Sequence, residues 1–236
     1  MQLDLLQTPA GYRPPEDIRV LMGCEKSGVG RRAFEKLGFD VFSCDLQKCD
    51  DNSNRHYQDD IRNILDEFEW DVLIVCHPPC TRLCNSGVRW LSAPPKGKTL
   101  NDMQRELREG CELFSDCLNA DVPHIAIEQP IIHKYAKALI RNYRPQSQVV
   151  QPHQFGDRAF KATSWYLKRL PLLVPTNQLE IPKKGTEEYK AWSMIHRAPP
   201  SKERSNIRSQ TFKGHADAFS SQWGRYVCMN SVKLVA

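Results

Sequence analysis

Between Trp70 and Leu91 lies Val72-Leu73-Ile74-Val75-Cys76, an apolar run as long as a strand buried on both faces of a parallel sheet. Pro78-Pro79 ends it abruptly. A chain built on such a strand must cover both faces with helices, which predicts an α/β fold with a mostly parallel sheet. Cys80 follows at once, just past the strand's carboxyl end, where open α/β sheets bind ligands. Its loop holds two prolines that limit its freedom. A nucleophile would sit well there.

The 236 residues carry no long Gly/Ser or charged linker, so one domain over 1–236 is expected. A turn-rich arm spans 1–17 and a proline-rich, basic region spans 171–213. The formal charge of +5 permits a polyanionic partner without demanding one. MQLDLLQTPAGYRPPEDIR lacks the apolar core of a signal peptide, and no apolar run approaches the ~20 residues that span a bilayer. A cytoplasmic protein with no membrane partner is the expectation. The nine cysteines are then reduced thiols, because an odd number scattered through strand-like and helix-like segments is no disulfide framework. Cys76, Cys80 and Cys84 recur every four residues, but Pro78-Pro79 breaks the helix that would align them. With no C-x-x-C pair in the chain, no metal site is expected.

Ile18–Met22 reads as the first strand. It enters Gly23-Cys24-Glu25-Lys26-Ser27-Gly28-Val29-Gly30, and Val29, Ala33, Phe34 and Leu37 then recur at helical spacing up to Gly38. This strand, turn and helix open a nucleotide-binding βαβ unit. Gly23 and Gly28 have P-loop spacing, but Val29-Gly30 stands where the lysine and hydroxyl residue belong, and Arg31-Arg32-Ala33 breaks G-x-G-x-x-G. What remains is a loop that lets backbone approach a ligand, with helix N-terminal amides aimed at an electronegative group, or simply a tight βα turn. Asp45 closes the second strand about twenty residues after the turn, where a carboxylate accepts hydrogen bonds from ribose hydroxyls. Lys48–Tyr57 reads as loop. Asp59 or Asp60 caps a short helix after it, and an acid here could also face an adenine.

Taken together, VLMGCEKSGVGRRAFEKLGFDVFSCDL, QDDIRNIL and WDVLIVCHPPCTRLCNSGVRWL resemble the cofactor and catalytic motifs of DNA cytosine-5 methyltransferases. The likeness is greatest to a short branch found in bacteriophages, for which a bacterial host cytoplasm would be the location. The resemblance implies a Rossmann-like S-adenosylmethionine-dependent methyltransferase fold with helices on both faces of the sheet. It places S-adenosylmethionine at Met22, Gly23, Cys24, Gly28, Asp45, Asp60 and Pro78, and it makes Cys80 the nucleophile. Glu128, at the end of a strand over 122–130, takes the place of the glutamate that contacts the ring nitrogen and amine of cytosine. A helix-capping acid before Pro130 is the alternative.

The chemistry explains why a cysteine is wanted. A cytosine ring carbon attacks a sulfonium methyl group poorly until a thiolate adds at the neighbouring carbon and breaks aromaticity, helped by an acid at the ring nitrogen. Arg82 or Arg89 would favour the thiolate. Amino-methyltransferases also carry a Pro-Pro motif, but with Asp, Asn or Ser before it and an aromatic after it. His77 and Cys80 occupy those positions here, which favours carbon over nitrogen as the acceptor.

Downstream, Leu83–Lys98 reads as a mobile loop over the site, with Asn85, Ser86 and Trp90 facing substrate or cofactor, and 100–118 reads as an amphipathic helix. Residues 148–157 and 161–168 form a strand, turn and strand in which Lys161 and Thr163 stand where the family has substrate-facing arginines. Residues 171–200 read as proline-punctuated loop, followed by a basic stretch with Arg204 and Arg208 as substrate-side residues, then a final helix from Gly214 to Trp223. The modest 171–213 region is all that is available to read a duplex, so duplex DNA, single strands or flipped bases, and a free pyrimidine nucleotide all stay open as substrates. Two further readings are a methyltransferase fold that binds nucleic acid or a host protein without chemistry, and modification of a pyrimidine with another one-carbon donor.

Overall fold

The computed structural model describes residues 11–197 and 211–230. Its strands are β1 (Arg19–Gly23), β2 (Asp40–Asp45), β3 (His56–Gln58), β4 (Val72–Val75), β5 (His124–Gln129), β6 (Gln148–Val150) and β7 (Thr163–Lys168). They form one sheet in the order β3-β2-β1-β4-β5-β7-β6. The β3-β2-β1-β4-β5 part is parallel throughout, and β7 runs antiparallel to both β5 and β6.

Every side chain of β4 and β5 is buried, as expected of central strands covered on both faces. Helices α1 (Val29–Glu35) and α7 (Lys213–Asn230) cover one face. There Val20, Met22, Ile74 and Trp165 pack with Phe34, Phe219 and Trp223. Helices α2 (Ile61–Glu67), α3 (Leu100–Leu118) and α4 (Lys134–Leu139) cover the other, where Leu21, Leu73, Ile125 and Tyr166 meet Leu107 and Phe114. Helix α3 has the bounds its periodicity predicts. It starts on a capping box in which Thr99 and Asp102 satisfy each other's backbone amides.

Several elements differ from the sequence expectation. Strand β3 lies partly in the stretch read as loop, since three residues at the sheet edge carry too little pattern to register. Between Pro171 and Pro200 the chain is not all loop: α5 (Glu187–Trp192) and α6 (Met194–Arg197) form there, with Trp192 buried against Phe160 and His153. The last helix runs to Asn230, beyond the expected Trp223, because Val227 and Cys228 continue its buried face. Residues 11–17 are tied down rather than a loose arm. The Arg13 amide donates to the Cys228 carbonyl at 2.9 Å, and its guanidinium pairs with Asp71. No helix among the described residues is long and apolar enough to cross a membrane.

Phe219 is 1% exposed between Phe34 and Trp223, with ring centroids 6.1 and 5.7 Å away. Phe219→Ala is expected to destabilise the protein by about 3–5 kcal/mol in urea unfolding, from lost burial and the cavity left behind.

Candidate active site

From β1 the chain builds the sheet outward through β2 and β3, then returns to place β4 on the other side of β1. Ligands of open α/β sheets bind at this reversal of strand order, beyond the carboxyl ends of the strands. The turn with Cys24 leaves β1, and the turn with Cys80 leaves β4. The two motifs read from the sequence therefore flank one crevice. The ladder continues just past the strand ends, with the Cys76 amide donating to the Gly23 carbonyl at 2.9 Å and the Glu25 amide to the Cys44 carbonyl at 3.1 Å.

On the β1 side, Cys24 and Gly28 both take left-handed backbone, with φ of 51° and 69°. Glycine suits position 28 because its φ of 69° is a conformation that residues with a Cβ rarely adopt. Asp45 ends β2 half-buried and accepts from the Gln47 amide at 2.9 Å. Asp60 N-caps α2, accepting from the Arg62 amide at 3.0 Å, and its carboxylate also receives the Arg62 guanidinium, which lowers its pKa. Burial raises the Cys24 thiol well above its ordinary value, and Asp45 and Asp60 push it the same way. Asp45 and Asp60 thus both stand within electrostatic reach of Cys24. The Met22 side chain is elsewhere. It is fully buried beneath α1 and α7, so only its backbone is left to serve the turn.

The group that the first helix's amides attract belongs to the protein itself. Glu25 is fully buried; it accepts from the Ser27 hydroxyl at 2.5 Å, and the Val29 and Gly30 amides favour its ionised form. Burial outweighs these and raises its pKa. Its Oε2 has no hydrogen-bond partner among the described residues. A carboxylate there opposes the phosphate that dinucleotide-binding turns hold.

On the β4 side, Pro78 is buried, Pro79 exposed and Cys80 half-buried. The chain then folds back sharply. The Leu83 and Cys84 amides each donate to the Cys80 carbonyl at 3.0 Å, and the Gly87 amide donates to the Cys84 carbonyl at 2.9 Å. A Cβ at Gly87 would lie 1.7 Å from the Thr81 carbonyl oxygen, so only glycine closes this turn. Exposed Asn85 and Ser86 sit on the turn, with Ser86 Oγ 3.1 Å from Cys84 Sγ. The loop that follows is anchored rather than hanging loose. Glu106 of α3 takes both Arg82 Nε, at 2.6 Å, and Lys98 Nζ. Arg82 is committed to that pair, and Arg89 lies over the Trp90 ring at 4.4 Å. Each of the two arginines read as thiolate stabilisers has another partner.

Glu128, near the end of β5 and 8% exposed, meets Lys161 Nζ at 3.0 Å. Burial raises its pKa and Lys161 opposes the rise. Thr163 is buried and donates to the Lys161 carbonyl at 3.2 Å, so its hydroxyl shapes the lysine's loop. The Cys76 thiol is raised well above its ordinary value by burial first, then by Glu25 and Glu128, and is lowered by Lys161. Its surroundings thus tie the two sides of the crevice together. His77 is held neutral by burial, with Lys161 and His215 acting the same way, and its Nε2 lies 2.8 Å from Thr211 Oγ1. Arg204 and Arg208 lie outside the described residues. No cluster of potential metal ligands is present among the described residues.

The strand order, with antiparallel β7 between β5 and β6, has the Rossmann-like form of the S-adenosylmethionine-dependent methyltransferase fold. No family model and no curated protein matches the sequence. Among solved structures, the chain is similar to an E. coli prophage-encoded protein described as a DNA modification methyltransferase. That match has 14% identity and a TM-score of 0.44, and covers 70% of this chain and 52% of that one. It is similar also to a mutant of DNMT2 from Spodoptera frugiperda, with 12% identity and a TM-score of 0.37, covering 70% of this chain and 56% of that one. The chain thus spans about half the length of each, and the fold assignment rests on the strand order.

Sequence reading missed Glu25 and Glu106. An acid inside a turn that leads into a helix was a usable signal for the first. Nothing local marks Glu106, whose partners lie on the 80s loop. Gly87→Ala is expected to disorder the Cys80 turn, lowering the melting temperature and raising the rate at which iodoacetamide alkylates Cys80, as read by peptide mass. An unchanged alkylation rate would show that the turn tolerates a side chain.

Proposed function

We propose that this protein transfers the methyl group of S-adenosylmethionine to C5 of cytosine in DNA, with Cys80 as the nucleophile. The observation that carries the reading is the placement of Cys80 just beyond the end of β4 and of Glu128 near the end of the neighbouring strand β5, beside the Cys24 turn at the strand-order reversal.

The residues on the β1 side suit this cofactor. Glu25 opposes a phosphate at the start of α1, and S-adenosylmethionine has none; its sulfonium and ammonium groups are positive, and buried carboxylates favour them. Asp45 would hold the ribose hydroxyls, and the start of α2 at Asp60 would border the adenine. The backbone of Gly23 and Cys24, with Gly28 and Pro78, would complete the cradle. When bound, the cofactor supplies an electrophilic methyl group.

On the other side, the Cys80 thiolate adds to C6 of cytosine, and Glu128 in its protonated form gives a proton to N3 as charge develops there. C5 would then take the methyl group, the sulfonium leaving as a neutral thioether; a base removes the C5 proton, the C6–sulfur bond breaks to release the thiolate, and N3 returns its proton to Glu128, which restores the ring. Burial keeps Glu128 protonated above the usual carboxylate range, and Lys161 keeps it able to ionise afterwards. Asn85, Ser86, Lys161 and Thr163 would border the base, and Arg204 and Arg208 would neutralise backbone phosphates.

The test is intact-protein mass after incubation with S-adenosylmethionine and cytosine fluorinated at C5, as duplex DNA, single strand and free nucleotide. Fluorine blocks the final elimination. A stable adduct absent in Cys80→Ser is the expected result, and the substrate that gives it fixes the substrate class. Cofactor binding without any adduct would overturn the assignment of cytosine C5 as acceptor. Asp45→Ala is expected to weaken cofactor binding by roughly 10- to 150-fold, measured by calorimetry, because it removes a charged hydrogen bond worth about 1.5–3 kcal/mol. Activity should fall as pH rises through the raised pKa of Glu128. Lys161→Met removes the charge that favours the carboxylate, so this limb of the pH–rate profile should move to higher pH. A limb that moves down or stays in place would remove Glu128 as the proton donor.

A further inference from the structure

We infer that His133 is the positioning residue of the Cys80 turn, holding it in its reactive geometry through a backbone carbonyl rather than by touching substrate. This rests on the reading of Cys80 as nucleophile. His133 is 4% exposed and lies in the segment between β5 and α4. Its Nε2 is 2.6 Å from the Arg82 carbonyl oxygen, which can only accept, so Nε2 carries the proton. Its Nδ1 accepts from the Ala136 amide at 3.1 Å as the N-cap of α4, so that nitrogen is unprotonated. Both ring nitrogens are therefore used, and the bonds they make fix a single neutral tautomer.

The backbone adds to this bond. The His133 amide donates to the Leu83 carbonyl at 2.9 Å, the Asn85 amide donates to the Ile131 carbonyl at 3.2 Å, and Cys84 bridges Ile132. A short antiparallel strap thus runs from the turn to the segment that follows Glu128. The Cys80 carbonyl, which accepts from the Leu83 and Cys84 amides, is one peptide turn from the strapped residues. Holding this turn against the end of β5 sets the nucleophile relative to the acid. Displacement of a reacting group by about 1 Å costs on the order of 100-fold in rate.

Two amides separate the ring's two duties. An Asn side chain places its oxygen near the Nδ1 position and can cap α4, but it does not reach Arg82. A Gln side chain can carry its NH2 to the Nε2 position and donate to Arg82, but it is a poor cap. His133→Asn is expected to be the more stable variant and His133→Gln the more active. The single-turnover rate of adduct formation on fluorinated cytosine should fall on the order of 100-fold in His133→Asn, with cofactor affinity unchanged, and His133→Gln should recover most of it. Amide hydrogen exchange over 80–85 should rise about tenfold in His133→Asn and stay near wild type in His133→Gln.

A capping role alone predicts the opposite order, with His133→Asn fully active and protected, and that outcome overturns the inference. If the wild type forms no adduct, the proposed methyl transfer fails, while the exchange contrast between the two variants still decides whether His133 holds the turn.

Discussion

The reversal of strand order between β1 and β4 is the constraint on which the site depends. Strands leaving the sheet on either side of this point diverge, so the turns that follow them cannot close over one another and a crevice opens between them. A cysteine at the end of β3 or β6 would lie at an edge of the sheet, away from this reversal. At the end of β4 it stands beside whatever the β1 turn holds. The packing serves this arrangement. Glu128 belongs to β5, which like β4 is buried on both faces, and the Cys80 turn hangs from the end of β4.

Charge at the crevice is set by burial more than by pairing. Glu25 and Glu128 are both withdrawn from water, and both have raised pKa values with desolvation as the leading cause. Glu128 is paired with Lys161, and Glu25 relies on Ser27 and helix amides. Carboxylates held in low dielectric attract a cation strongly and oppose an anion strongly. The β1 turn therefore departs from phosphate-binding turns of similar outline in the sign of charge it favours, which glycine spacing alone does not report.

How much of this was legible in the sequence depended on whether the signal was local. Val72–Cys76 and the helix over 100–118 announce themselves because a buried strand and an amphipathic helix each impose their own period on neighbouring residues. Asp45 and Asp60 were legible because strand ends and helix caps are local events. The strap between 82–85 and 131–133 was not, since His133 gains its meaning from a carbonyl 51 positions away in the chain. Arg82 shows the same limit from the other side. Proximity in sequence suggested service to Cys80, while the fold gives its charge to Glu106 on α3.

His77 brings these strands of argument to the choice between carbon and nitrogen as acceptor. A residue before Pro-Pro that serves an exocyclic amine must offer lone pairs toward the substrate. Here the ring's Nε2 is engaged by the hydroxyl of Thr211, just ahead of α7, and burial together with Lys161 and His215 holds the ring neutral. That ring nitrogen is thus engaged within the protein. A thiol one turn further on supplies instead what carbon chemistry requires, a nucleophile that can enter the ring and leave it again. The engagement of His77 and the residue type at 80 are thus separate grounds for the proposal of carbon as the acceptor.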